Sequence, residues 1–251
     1  MRRLLPDPGP VTVEEQLDLY RPWEEPPEDR PRVAMNFVAT VDGRATIEGR
    51  SGPIGSATDT AMLTWLRTRC DAVMIGAGTM RAERYGRPVP SAVKRERREG
   101  LGLAPNPTTV LISGRLDLPW DAPLFTEGEG EVLVFTASEA EPPETATPLE
   151  VVRHERVVDL REALRHLRHE RGVRALLSEG GPHLYGQMQA AGLVDDLFLT
   201  ISPKLSGGEA PRIVEGELPA VASLELAWLL EEEGELFARY RASVAPPHPD
   251  A

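Results

Sequence analysis

The sequence contains one cysteine, Cys70, in 251 residues. No disulfide can form within the chain, and tetracysteine zinc sites and iron–sulfur clusters are excluded. Long apolar runs are missing, and none approaches the ~20 residues that cross a bilayer. The start, Met1-Arg2-Arg3-Leu4-Leu5, meets Pro6 at once and offers no apolar signal segment. These absences together give the expectation of a cytoplasmic protein that does not enter a membrane. No G-x-S-x-G elbow and no H-E-x-x-H occurs. His166 and His169 stand three apart with no third ligand in view, so no metal site is expected.

What is present is ordinary globular composition, 41% hydrophobic and 27% charged. The formal net charge is −12, which argues against non-specific nucleic-acid or anionic-membrane binding. The charge is uneven. Residues 1–29 carry a net −5, residues 30–100 a net +6 and residues 101–251 a net −13. A basic segment in an acidic chain can hold a small anion such as a phosphate ester if it lines a cleft. The run Lys94-Arg95-Glu96-Arg97-Arg98-Glu99 reads instead as a solvated face.

Residues 1–31, rich in proline and acid, read as an arm with a helix from Val13 to Leu19, opened by a Thr12/Glu15 capping box. A second region, 32–245, reads as one α/β domain, and 246–251 as a disordered tail. Strands are expected at Val33–Ala39, Asp71–Ile75, Thr109–Ser113, Val132–Thr136, Val151–Val152, Arg174–Leu177 and Leu197–Ile201. Helices are expected at Ser56–Thr68, from Asp159 to before Gly172, and at Pro182–Ala191. Leu224–Leu230 and Leu236–Val244 read as a terminal hairpin. Alternating strands and helices imply a mostly parallel sheet with helices on both faces, and the hairpin adds antiparallel strands. Ligands in such sheets bind at the carboxyl ends of the strands.

Two stretches place glycines at such ends. Leu177-Ser178-Glu179-Gly180-Gly181-Pro182-His183-Leu184 runs from a strand into a helix, a turn suited either to a pyrophosphate or simply to tight packing. Ile75-Gly76-Ala77-Gly78-Thr79 repeats the pattern, with a hydroxyl in reach of a phosphate and the same packing alternative. Glu179 leaves an apolar strand as a carboxylate that needs a partner or a function. Arg67 and Arg69 suit the end of the preceding helix. Arg81, Arg84 and Arg87 follow the second glycine turn and can make bidentate phosphate contacts.

At these residues the sequence resembles the pyrimidine reductases of riboflavin biosynthesis, the reductase domain of the bifunctional deaminase-reductase. Four stretches carry the resemblance, in the family's order. They are Arg32–Ile47 with its D-G-[KR] turn, Asp71–Thr79, Leu177–Leu184, and Gly192–Asp196 through Ile201–Gly208. The deaminase half is not expected, because its zinc signature needs more than one cysteine. The resemblance implies a dihydrofolate-reductase-like fold, NADPH, a phosphorylated ribosylaminopyrimidine and a homodimer. Cofactor contacts would fall on Ala39, Gly76, Gly78, Thr79, Glu83, Ser113, Gly180, Gly181, Pro182, His183 and Leu184. Substrate contacts would fall on Asn36, Arg44, Ser51, Arg67, Arg87 and Glu179, with Glu179 as the catalytic candidate orienting polar substrate groups.

The chain departs from the family at Glu83, where Asp is usual, and at Tyr85-Gly86, where a proline segment is usual. Either Arg84 or Arg87 can therefore be the phosphate ligand. Arg44 stands where many members carry Lys. The implied reaction reduces the ribosyl group of 5-amino-6-(5-phosphoribosylamino)uracil to ribityl. The alternatives are the same reduction on the non-deaminated 2,5-diaminopyrimidinone phosphate, a dihydrofolate or pteridine reductase, and a catalytically silent NADP-binding protein.

Overall fold

The computed structural model describes residues 1–242. The chain begins with β1 (Arg2–Leu5), β2 (Gly9–Pro10), α1 (Val13–Asp18) and β3 (Arg32–Thr40). Next come α2 (Ala57–Leu66), a 3-10 turn (Arg67–Arg69), β4 (Ala72–Gly76), α3 (Ala77–Glu83) and α4 (Ala92–Gly100). Then follow β5 (Thr108–Ile112), α5 (Pro123–Thr126), β6 (Val132–Thr136), β7 (Leu149–Arg153) and α6 (Leu160–His169). The chain continues through β8 (Ala175–Ser178), α7 (Pro182–Ala190), β9 (Asp196–Ser202), β10 (Leu224–Glu232) and β11 (Glu235–Ala242). Two compact units emerge, each built from separated segments. The first takes Met1–Leu19, Val33–Met62 and the chain from Pro182; the second takes Tyr20–Arg32 and Leu63–Gly181.

In the second unit the strands run β8-β4-β5-β6-β7, all parallel. Every residue of β6 is buried, as expected of a parallel strand covered on both faces. Helix α6 turns Leu160, Ala163, Leu164 and Leu167 inward, the stripe its 3.6-residue period predicts. Asp159 Oδ1 caps it, accepting from Arg161 N at 2.8 Å and Glu162 N at 3.2 Å. Asp71 works between strands. Its Oδ2 accepts from Arg174 N (2.9 Å) and Ala175 N (2.8 Å), setting the entry of β8 beside β4.

In the first unit the order is β2-β1-β10-β11-β9-β3. Strands β3 and β9 are parallel, with Asn36 opposite Phe198 and Ala39 opposite Ile201; the other pairs are antiparallel. Asp195 Oδ2 accepts from Val33 N at 2.7 Å and anchors the start of that parallel pair. The α/β class, parallel strands with an antiparallel hairpin and surrounding helices, is as expected. Val244, the expected end of the hairpin, and the expected tail 246–251 lie outside the described residues.

The Thr12/Glu15 capping box forms as read: Thr12 N donates to Glu15 Oε2 at 2.8 Å, and Glu15 N to Thr12 Oγ1 at 3.1 Å. Other expectations change. Residues Arg2–Leu5 of the expected arm form a strand, pairing Arg3 with Leu230 of β10. Gly76–Gly78 is no free turn, because α3 starts at Ala77 with Gly76 as its N-cap. The run Lys94–Glu99 is not simply a solvated face. It forms most of α4, and Arg98 within it is fully buried. The four passages between the units fall just after α1 at Leu19-Tyr20, inside β3, inside α2 and at Gly181-Pro182.

Candidate active site

In the second unit the exits of β4 and β8 are tied together. Gly76 N donates to Gly180 O at 2.7 Å, and Glu179 N donates to Met74 O at 2.9 Å. Gly180 and Gly181 have φ of 62° and 83°, a region L side chains rarely adopt. A Cβ on Gly181 would sit 2.8 Å from Thr79 Oγ1, so that hydroxyl lies directly against the glycine turn. Ser113 follows the β5 residue paired with Gly76; it is buried, and its N–H donates to Phe135 O at 3.0 Å. Gly76, Thr79, Ser113, Glu179, Gly180 and Gly181 thus share the carboxyl ends of neighbouring parallel strands. Gly78 lies exposed in α3 with open space around its Cα, and Glu83 is half-buried in the last turn of that helix.

Beside this turn lies a buried ion pair. Arg67 Nε donates to Glu179 Oε1 and Nη2 to Oε2, each at 2.6 Å. Arg67 Nη1 donates to Pro88 O at 2.9 Å. The side chains are only 10% and 3% exposed, so the pair is strongly coupled. Burial alone would lower the Arg67 pKa, but the Glu179 carboxylate outweighs it and raises it. The Tyr85 ring lies under the guanidinium, with Arg67 Cζ 5.6 Å from the ring centroid. Burial, and then the Glu179 charge, push the Tyr85 phenol above its ordinary value. Nothing in the spacing foretold Tyr85 or the Pro88 carbonyl as partners of this pair.

The arginines in and just after α3 are engaged with acids. Arg84, left-handed at φ 49°, donates to Asp121 Oδ2 at 2.7 Å. Arg87 pairs with Glu129 and is the less exposed of the two, 18% against 45%. Arg81 donates to Asp117 O at 2.8 Å.

The first unit holds the remaining expected residues. Asn36 is half-buried and Ala39 buried on β3, and Ser51 is half-buried. Arg44 Nη1 donates to Ala210 O at 2.7 Å, and its buried Nε has no hydrogen-bond partner among the described residues. Pro182 opens α7, His183 is exposed and Leu184 is buried.

The Asp-Gly turn has a job that its motif did not disclose. Asp42 accepts from Thr40 Oγ1 (2.5 Å), Ser206 N (3.2 Å) and Gly207 N (2.8 Å). Led by the Thr40 hydrogen bond, these hold its carboxyl down at about 2. Lys204 Nζ donates to Pro53 O (2.9 Å) and Ile54 O (2.8 Å), so the 42–54 and 204–210 loops are latched at three points. Among the described residues no helix is long and apolar enough to cross a membrane. No group of three or more His, Cys, Asp or Glu able to hold a metal ion occurs among them.

Fold and site define an α/β protein with glycines at the exits of neighbouring parallel strands and a buried arginine–carboxylate pair beside them. More particularly, the chain belongs to the RibD C-terminal domain family, whose model matches residues 31–231. The 2,5-diamino-6-ribosylamino-4(3H)-pyrimidinone 5′-phosphate reductase of Archaeoglobus fulgidus is 33% identical over 195 residues, 75% of this chain and 88% of that one. Riboflavin biosynthesis protein RibD of Bacillus amyloliquefaciens is 29% identical over 196 residues, 74% of this chain and 50% of that one. A solved structure, a pyrimidine reductase-like protein from Corynebacterium diphtheriae, matches at a TM-score of 0.79 and 28% identity. That match covers 94% of this chain and 100% of the other.

Proposed function

We propose that this chain is an NADPH-dependent reductase of riboflavin biosynthesis. Its reaction would convert the ribosyl group of a ribosylaminopyrimidine 5′-phosphate to a ribityl group. The observation that carries the reading is the bidentate Arg67–Glu179 pair, buried beside the Gly180-Gly181 turn in a chain of this family.

The Gly180-Gly181 turn and the glycine-capped start of α3 suit a dinucleotide. At Gly181 a side chain would press on Thr79, and at Gly78 the backbone is open to approach. Gly76, Gly78, Thr79, Glu83, Ser113 and Gly180–Leu184 would hold NADPH, with Ala39 at the end of β3. Bound there, the cofactor supplies a hydride. The protein's own work is binding and orientation. In the substrate, the C1′–ring oxygen bond breaks as the amine nitrogen forms a C1′=N bond; the proton that this nitrogen gives up balances the one the ring oxygen takes, and C1′ is the carbon that a hydride would reduce while the nitrogen regains a proton. Glu179, fixed by Arg67, orients the polar groups around C1′, and its rigidity keeps the reacting carbon in attack geometry. Asn36, Arg44, Ser51 and Arg67 bind the remainder of the substrate, and Arg87, the more sheltered of the two candidates, takes the phosphate. In this reading residues 1–31 are an arm on a reductase region, 32–245. The enzyme is a cytoplasmic homodimer, on the strength of the family resemblance and the lone cysteine.

The pyrimidine has two candidates, and the relative named for the diamino compound, matched over 88% of its length, favours the non-deaminated one as the second reading. The test is loss of 340 nm absorbance with the uracil phosphate, the diaminopyrimidinone phosphate and dihydrofolate in parallel. Oxidation with either pyrimidine supports the reading and chooses between them. Oxidation with dihydrofolate alone, or NADPH binding without any oxidation, overturns it.

A further inference from the structure

Helix α4 reads in sequence as a charged surface run, yet one of its arginines is the largest fully buried side chain among the described residues. Arg98 is 0% exposed, and its hydrogen bonds go to main-chain carbonyls. Nε donates to Ala104 O at 2.8 Å; Nη1 donates to Arg67 O at 2.5 Å and to Cys70 O at 2.7 Å. A buried guanidinium without a bonded carboxylate is costly, and its charged hydrogen bonds to carbonyls must offset that cost. Burial lowers its pKa, in keeping with such a setting.

The accepting carbonyls explain the location. Two of them, those of Arg67 and Cys70, belong to the first residue and the C-cap of the 3-10 turn that continues α2, where helix-end carbonyls lack partners and where a cation is favoured. That turn carries Arg67. Two other members of the same α4 face grip the residues just before it. Lys94 Nζ bonds Thr64 Oγ1 and lies 5.0 Å from the Trp65 ring centroid, and Arg97 Cζ lies 5.0 Å from the same centroid. Positions 94, 97 and 98 are neighbours on one helical face, so α4 is strapped along Thr64–Cys70.

We propose that Arg98 is a positioning residue: by clamping the Arg67 and Cys70 carbonyls it sets the direction in which the Arg67 guanidinium leaves the turn to meet Glu179. Arg67 arrives with two donors aimed at two oxygens, a geometry that tolerates little rotation of its backbone. A role in catalysis rests on the reductase reading given above; the clamp itself does not.

The experiment therefore has two arms. In the first, the Arg67 Nε–H signal is followed in a 1H–15N spectrum of the whole protein and assigned by its loss in Arg67→Lys. In Arg98→Lys, which keeps the charge but can reach fewer of the three carbonyls, that proton should exchange with water at least tenfold faster. In Glu96→Gln, an exposed change on the same helix, it should be unaltered. In the second arm, Arg98→Lys should raise KM for the pyrimidine about tenfold and leave KM for NADPH within twofold. Arg98→Gln, neutral and shorter, serves if Arg98→Lys does not fold. An unchanged Arg67 signal in a folded Arg98 variant overturns the clamp. A changed signal with an unchanged pyrimidine KM overturns its role in substrate binding. A wild-type protein that turns over no pyrimidine defeats the reductase reading, and the first arm still decides the clamp.

Discussion

Arg67 and Glu179, 112 residues apart in the chain, meet through two parallel hydrogen bonds of 2.6 Å with almost no solvent access. Replacing one partner leaves the other charge buried and poorly compensated, at a cost of about 3–5 kcal/mol. Glu179→Gln keeps the shape and removes the charge. Urea denaturation should show a loss toward the lower end of that range, and NADPH oxidation should fall at least tenfold. Full turnover in this variant would end the orienting role assigned to Glu179.

Asp42 should contribute to acid sensitivity in the first unit. Its carboxyl is held at about 2, below the ordinary 3.8. The folded pKa is depressed, so its stabilising contribution is present above pH ~3.8 and is lost as the pH falls through about 2. Asp42→Asn should have a lower melting temperature than wild type at pH 6, and the gap should close by pH 2. A constant gap across that range would mean that the latch does not depend on the charge.

Asp59 has the opposite sign. Burial, aided by the Glu235 charge, lifts it to about 6 despite a hydrogen bond from Thr200. A carboxyl whose folded pKa is raised costs nothing below pH ~3.8 and costs progressively more as the pH rises to about 6. Two pKa units correspond to about 3 kcal/mol at most. Asp59→Asn should therefore be more stable than wild type above pH 6 and no more stable at pH 4. Denaturation at the two pH values checks the sign directly.

Gly186 offers a packing test. It lies inside α7, where alanine usually improves a helix by up to about 1 kcal/mol. Here a Cβ would stand 1.9 Å from the Glu215 carbonyl oxygen, and a backbone atom cannot swing aside as a side chain can. Gly186→Ala should lower stability by about 2 kcal/mol or more. Gly78→Ala, in α3 with open space around it, should not destabilise. Equal melting temperatures for the two variants would contradict the close approach of α7 to residue 215.

Cys70 should be inert. It is buried between the 3-10 turn and β4, and burial pushes its thiol up to about 12. A disulfide reagent should label it only after unfolding, in step with loss of the far-ultraviolet signal.

Several features were readable from residues alone, because local physics decides them. Apolar runs made β3, β4, β6 and β9 strands; Asp159 and the Leu160–Leu167 stripe made α6; Thr12 and Glu15 made a capped turn. The motif stretches disclosed the family and the glycine turns. Tertiary structure alone decided what the charges do. Asp71, Asp195 and Asp42, met as motif letters, are acceptors for distant main-chain N–H groups. Arg98, in a run that reads as solvated, is buried on the carbonyls of the Arg67 turn. Helical and strand periods depend on neighbours a few residues away and so are written in sequence. The partner of a long charged side chain depends on which distant carbonyl or carboxylate the fold brings within 3 Å, and no local pattern encodes that.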